Sequence, residues 1–165
     1  MPISTSTVPR NHVLNGDFAK KFADWTTQDI ALIKWAPPLN GHAAIKLRPG
    51  VQIEQIMENS PQKTFTLKFN VRASDLKGPD EIGLYGLLLS GRIENEFYLM
   101  PLPGIARSEW TSLEYEFTPP VGLLPGFQLV ASSASPPKRE IYNHKAGEPV
   151  FRYTAIEFDS FEVNY

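Results

Sequence analysis

The stretch "KTFTLKFNVRA", residues 63–73, sets Phe65, Leu67, Phe69, Val71 and Ala73 against Thr64, Thr66, Lys68, Asn70 and Arg72, one by one. Side chains of an extended chain point alternately to its two faces. A period of two therefore predicts a strand with one face in a core and the other in water. "WTSLEYEFT", residues 110–118, repeats the pattern. Thr111, Leu113, Tyr115 and Phe117 alternate with Ser112, Glu114, Glu116 and Thr118. Pro119 and Pro120 then end the run, because proline has no N–H for a sheet ladder.

Working outward from these two, further strands are expected near 28–35, 43–47, 51–57, 95–100, 126–133 and 154–164. Fifteen of the 165 residues are proline, where average use is about 5%. They cluster in "APPLNG", "PLPG", "TPPVGLLPG" and "SPPKRE" and are expected between strands. "DEIGLYGLLLSGRI", residues 80–93, is ambiguous in period, but Gly83, Gly86 and Gly91 speak against a long helix. Short strands separated by Pro and Gly turns, with no capped amphipathic helix, predict an all-β sandwich of two antiparallel sheets. The Ser/Thr/Pro-rich residues 1–10 are expected to be a flexible arm, and 11–165 a single domain of ordinary size.

Bulk properties exclude several function classes. The formal net charge is −2 and no basic stripe is present, which speaks against a nucleic-acid partner. The absence of cysteine removes disulfides, cysteine zinc sites and thiol nucleophiles. "MPISTSTVPRN" lacks the basic and apolar regions of a Sec signal peptide, and no apolar run reaches the ~20 residues of a membrane span. The expectation is a soluble chain without membrane insertion. It would be cytoplasmic, exported without a cleaved signal, or part of a larger secreted protein.

No catalytic motif is visible. His12, His42 and His144 form no HExxH pattern, and GxSxG, P-loop and GxGxxG motifs are missing. Glu114 and Glu116 fill the polar side of a strand. A glycosidase needs two carboxylates within about 5–10 Å of each other, and no such pair can be singled out. The expectation is a protein that is not an enzyme.

"NHVLNGDFAKKFADW", residues 11–25, gives the fold a family likeness. "LNGDF" followed by Trp25 resembles the opening signature of the jelly-roll carbohydrate-binding modules of families 4, 9 and 22, in the galactose-binding-domain-like class. "HAAIKL", "VQIEQIMENSPQKTFTLKFNVRA", "SEWTSLEYEFTPP" and "AIEFDSFEVNY" resemble later segments of those modules, in the same order. The resemblance spans residues 11–165 and implies a jelly roll in which Phe18, Trp25 and Trp110 are packing anchors. It also implies a structural calcium in some members, held near Asp17 and Asp159. Here Ala19 stands where those members carry a Glu ligand, which weakens the expectation of a metal.

The function implied is non-catalytic recognition of an oligo- or polysaccharide on the concave sheet or loop tips. Sugars stack their C–H faces on aromatic rings and pair their hydroxyls with amides, carboxylates and guanidinium groups. The aromatic candidates are Trp35, Tyr85, Tyr98 and Tyr142; the polar candidates are Asn70, Arg72, Arg92 and Gln128, with Gln28 and Gln55 behind them. Tyr85 lies among glycines, which would let a ligand approach closely. Tyr142 lies in "SPPKREIYNHKAGEP", the longest irregular stretch. The alternative is a structural or protein-interaction jelly roll without sugar binding: an assembly subunit, adhesin or toxin-accessory module, with a protein partner or as a homo-oligomer.

Overall fold

The alternation of the sequence becomes an alternation of burial. From residue 65 to 73, Phe65, Leu67, Phe69, Val71 and Ala73 are buried, and the residues between them are half-buried or exposed. The computed structural model describes residues 11–28, 30–39, 42–57, 64–78, 80–93, 96–118, 127–134 and 150–164, with backbone alone at 37–39, 42–43, 93, 97–98, 127 and 150–151. After a short 3-10 turn (Ile30–Leu32), these residues form β1 (Lys34–Leu39), β2 (His42–Leu47), β3 (Gln52–Met57), β4 (Phe65–Ala73) and β5 (Glu81–Ile93). They continue with β6 (Glu96–Ala106), β7 (Thr111–Phe117), β8 (Phe127–Ser133), β9 (Val150–Arg152) and β10 (Ile156–Asn164).

The first sheet runs β1-β2-β10-β4-β7. The second runs β3-β8-β5-β6, with β9 added parallel to the start of β5. All other pairings are antiparallel. The fold is the expected β-sandwich. The ambiguous 80–93 stretch is one long strand. Two of the proline clusters lie within strands and not between them: Pro37 and Pro38 in β1, Pro101 and Pro103 in β6. Both are edge strands, where a missing N–H can face away from the ladder. "TPPVGLLPG" and "SPPKRE" lie largely outside the described residues.

Aromatic rings tie the sheets together. Tyr85 of the second sheet meets Phe69 at 5.9 Å and Phe158 at 5.7 Å, both edge-on, a favoured geometry for ring quadrupoles. Each fully buried Phe contributes roughly 1.5–3 kcal/mol relative to exposure. Phe158 and Phe161 both reach the core, although residues three apart on a regular strand face opposite sides. A bulge between Asp159 and Glu162, with Ser160 at φ 56°, brings them to the same side.

The opening segment closes the sandwich. Asn15, at φ 50°, donates through Nδ2 to the carbonyls of Lys21 and Ala23 and accepts from the Lys20 N–H, folding residues 15–23 around one side chain. Its carbonyl accepts from the Trp25 indole N–H at 3.0 Å. Phe18 and Trp25 are buried, 5.3 Å apart, with Trp25 5.5 Å from Phe161. These two are the anchors expected of them. Gly16 lies against the Phe161 carbonyl, where a Cβ would come within 2.0 Å of the oxygen. Thr26 then pairs with Glu54 through both backbone groups at 2.9 Å, closing the outer edge of β3.

Trp110 departs from expectation. It is half-buried, outside the core, and lies beneath the Arg72 guanidinium at 5.1 Å.

Candidate functional site on the second sheet

The ladder of the second sheet decides which side chains meet. Register places Ile56 opposite Gln128, Gln128 opposite Ser90, and Ser90 opposite Leu99. These residues alternate with the buried Met57, Leu129 and Leu89 and so belong to the outer face. One step along lies the row Glu54, Val130, Leu88 and Pro101.

A hydrogen-bonded line crosses three strands here. Ser90 Oγ donates to Gln128 Oε1 at 3.3 Å, and Gln128 Nε2 donates to Glu54 Oε2 at 2.9 Å. The line fixes the amide orientation, leaving a carboxylate, an amide and a hydroxyl in sequence on a rigid sheet. Exposed apolar groups flank it: Ile56 is 68% exposed and Leu99 60%. Exposed Arg92 follows Ser90 on β5, opposite Phe97 of β6. Such a surface can offer hydroxyl groups both donors and acceptors, and C–H faces an apolar border.

The residues expected to form one site are divided. Gln128 and Arg92 lie on this face. Asn70 and Arg72 lie on the outer face of the first sheet, on the far side of the core. Trp35 is half-buried on edge strand β1, packed 6.0 Å from Phe18 with Lys21 Nζ 5.0 Å above its ring. Tyr98 holds the register position opposite buried Gly91. Tyr142 lies outside the described residues. Gln28 is exposed at the end of the opening segment.

Tyr85 is corrected outright: it is a core residue, only 3% exposed. Its ring fills the space left by a glycine on the facing strand, not by its sequence neighbours Gly83 and Gly86. A Cβ on Gly104, opposite in β6, would lie 2.2 Å from Tyr85 Cζ. Burial first, then a hydrogen bond with Tyr115, pushes the Tyr85 phenol well above its ordinary value of 10.

Glu54, Ser90, Ile56 and Leu99 were not among the expected residues. Their polar or apolar character was visible, but their meeting depends on cross-strand register, which no local pattern states.

Asp17 and Asp159, the residues expected near a calcium, each accept a local backbone N–H: Asp17 Oδ1 from Ala19 N–H at 3.1 Å, and Asp159 Oδ1 from Ser160 N–H at 2.8 Å. Both have further interactions. Asp17 lines a cleft of about 490 Å³ between the opening segment and β10, and Asp159 does not. Among the described residues no three His, Cys, Asp or Glu side chains converge. Calcium takes six to eight oxygens, so backbone carbonyls would have to supply most of any site at these two carboxylates.

No family model and no curated protein matches the sequence. Solved structures do match the fold. A family 16 carbohydrate-binding module superposes with TM-score 0.65 at 14% identity, over 93% of this chain and 99% of that one. A xylan-binding domain from carbohydrate-binding module family 22 gives 0.63 at 10%, over 93% and 94%. The enzymatically active domain of a bacteriophage CBA120 tailspike gives 0.64 at 10%, over 93% of this chain but 21% of that one. The chain thus has the β-sandwich fold of carbohydrate-binding modules, as its sequence motifs implied.

Proposed function

We propose that this protein is a non-catalytic carbohydrate-binding module whose ligand lies on the outer face of the second sheet. The observation that carries this reading is the Ser90–Gln128–Glu54 line with its apolar border. Sugar hydroxyls would take the amide and carboxylate, while Ile56 and Leu99 meet C–H faces. The fold likeness to carbohydrate-binding modules supports the same ligand class. Glu54 is hydrogen-bonded to the Gln128 amide, and the Ser90–Gln128–Glu54 line itself contains no second carboxylate of the kind glycoside hydrolysis uses. The test is a glycan array probed with labelled, folded protein. Reproducible binding to one class of neutral oligosaccharide is expected, and a blank array would refute the reading.

A second reading is favoured by one feature, the exposed Leu99, Pro101, Pro103 and Ile105 along β6. This strip would suit a protein partner or a second copy. Sedimentation giving a stable oligomer, together with a blank array, would establish that reading in place of the first.

A further inference from the structure

The opposite face of the sandwich carries a separate polar construction. Glu157 of β10 lies on the outer side of the first sheet, yet its side chain is only 2% exposed. A buried carboxylate is costly unless it is paired. Here Arg72 pairs with it through Nε, and the Arg72 guanidinium lies on the Trp110 ring. Contact through Nε leaves the terminal guanidinium nitrogens unspent on Glu157. The carboxylate and the indole together hold the planar group in one orientation, which lowers the entropy lost when it binds something else.

The groups beside it continue the pattern. Asn70, two residues along β4, accepts at Oδ1 from Ser112 Oγ at 2.6 Å. That contact commits the oxygen and leaves the Nδ2 donors. Asn70 and Ser112 line a groove of about 250 Å³ with Lys68, Glu114 and Glu162. Register sets Lys68 opposite both Glu114 and Glu162. The cation is flanked by two carboxylates, so an anionic ligand would meet repulsion on either side. A neutral ligand rich in hydroxyls would find fixed donors at Arg72 and Asn70 and acceptors at the glutamates. The groove is smaller than the roughly 300–1,000 Å³ of a drug-sized pocket, and suits a single sugar unit.

We propose that this groove, extended by Arg72, is a second site for a neutral saccharide, on the face opposite the Ser90–Gln128–Glu54 line. Trp110 is a positioning residue that acts through Arg72. The proposal rests on the carbohydrate-binding reading for its ligand class but not for its location.

The experiment is an amide chemical-shift titration of the full chain with cellohexaose, xylohexaose and mannohexaose. Two separate sets of shifts are expected with at least one probe. One set centres on residues 54, 90 and 128, the other on 68–72 and 110–114. Trp110→Ala should weaken only the second set, by roughly tenfold. Trp110→Phe, which keeps a ring beneath Arg72, should restore most of it. Asn70→Ala should also weaken the second set alone. Shifts confined to residues 54, 90 and 128 would overturn the second site and leave the first intact. Shifts confined to 68–72 and 110–114 would uphold the second site and overturn the placement of the first. No shifts with any probe would overturn both. Equal loss in Trp110→Ala and Trp110→Phe would remove the positioning role.

Discussion

Gln55 satisfies both backbone groups of Leu14. Its Oε1 accepts from the Leu14 N–H at 2.7 Å, and its Nε2 donates to the Leu14 carbonyl at 2.8 Å. A buried amide on β3 thereby takes the place of a neighbouring strand for one residue of the opening segment. Gln55→Leu should cost roughly 1–3 kcal/mol, because both backbone groups lose their partner. Urea unfolding would measure it, and glycan binding should persist wherever the variant is folded. A loss of binding without a loss of stability would show that Gln55 belongs to a ligand site instead.

Tyr85 makes stability depend on alkaline pH. Its folded pKa lies above its ordinary value, through burial and then the Tyr115 hydrogen bond. The folded state therefore keeps the phenol proton where the unfolded chain releases it. The stabilisation is complete below about pH 10 and falls as pH rises beyond it, by up to about 1.4 kcal/mol per pH unit. Tyr85→Phe should flatten that decline in unfolding measured between pH 8 and 11. Gly104→Ala should cost roughly 1–3 kcal/mol at neutral pH, since the added methyl meets the Tyr85 ring.

On the outer face of the second sheet, Gln128→Ala removes the central member of the polar line. It should weaken glycan binding at least tenfold in titration calorimetry, about 1.4 kcal/mol. The melting temperature should stay within a few degrees, because Gln128 is only half-buried. An unfolded variant, or unchanged binding by a folded one, would count against the assigned face.

Calcium should leave the melting temperature unchanged in protein first stripped with EDTA. Asp17 and Asp159 are engaged with local backbone N–H groups, and Ala19 brings no side-chain oxygen. A rise on adding calcium would mean that backbone carbonyls build a site these side chains do not indicate.

The fold was legible because its signals are local. Alternation in 65–73 and 111–117 marks both faces of β4 and β7, and the Asn15, Phe18 and Trp25 motif organises its own loop. The long strand 81–93 was harder to read, since Leu87, Leu88 and Leu89 run together without a break in hydropathy. Its half-buried outer face explains why: Leu84 and Leu88 lie there as apolar surface. The site was less legible. Asn70 and Arg72 look like Arg92 and Gln128 as polar residues on strands, and only the sheet order separates them onto opposite faces. Gly83 and Gly86 beside Tyr85 suggest room for a ligand, whereas the glycine that matters is Gly104 on the facing strand, which makes room for the Tyr85 ring.

The two borders of the second sheet share a property with a bearing on partners. Along β3, Thr26 occupies the backbone of Glu54, and Thr27 Oγ1 donates to the Gln52 carbonyl at 2.7 Å. Along β6, Pro101 and Pro103 sit at alternate positions and so lack N–H groups on the same, outward side. Among the described residues, neither margin offers a run of backbone donors for an incoming strand to zip onto. Pro101→Thr with Pro103→Thr should restore that run and raise self-association in light scattering. Among the described residues, whatever approaches this sheet meets side chains before open backbone, and an extended peptide has no privileged way to add itself.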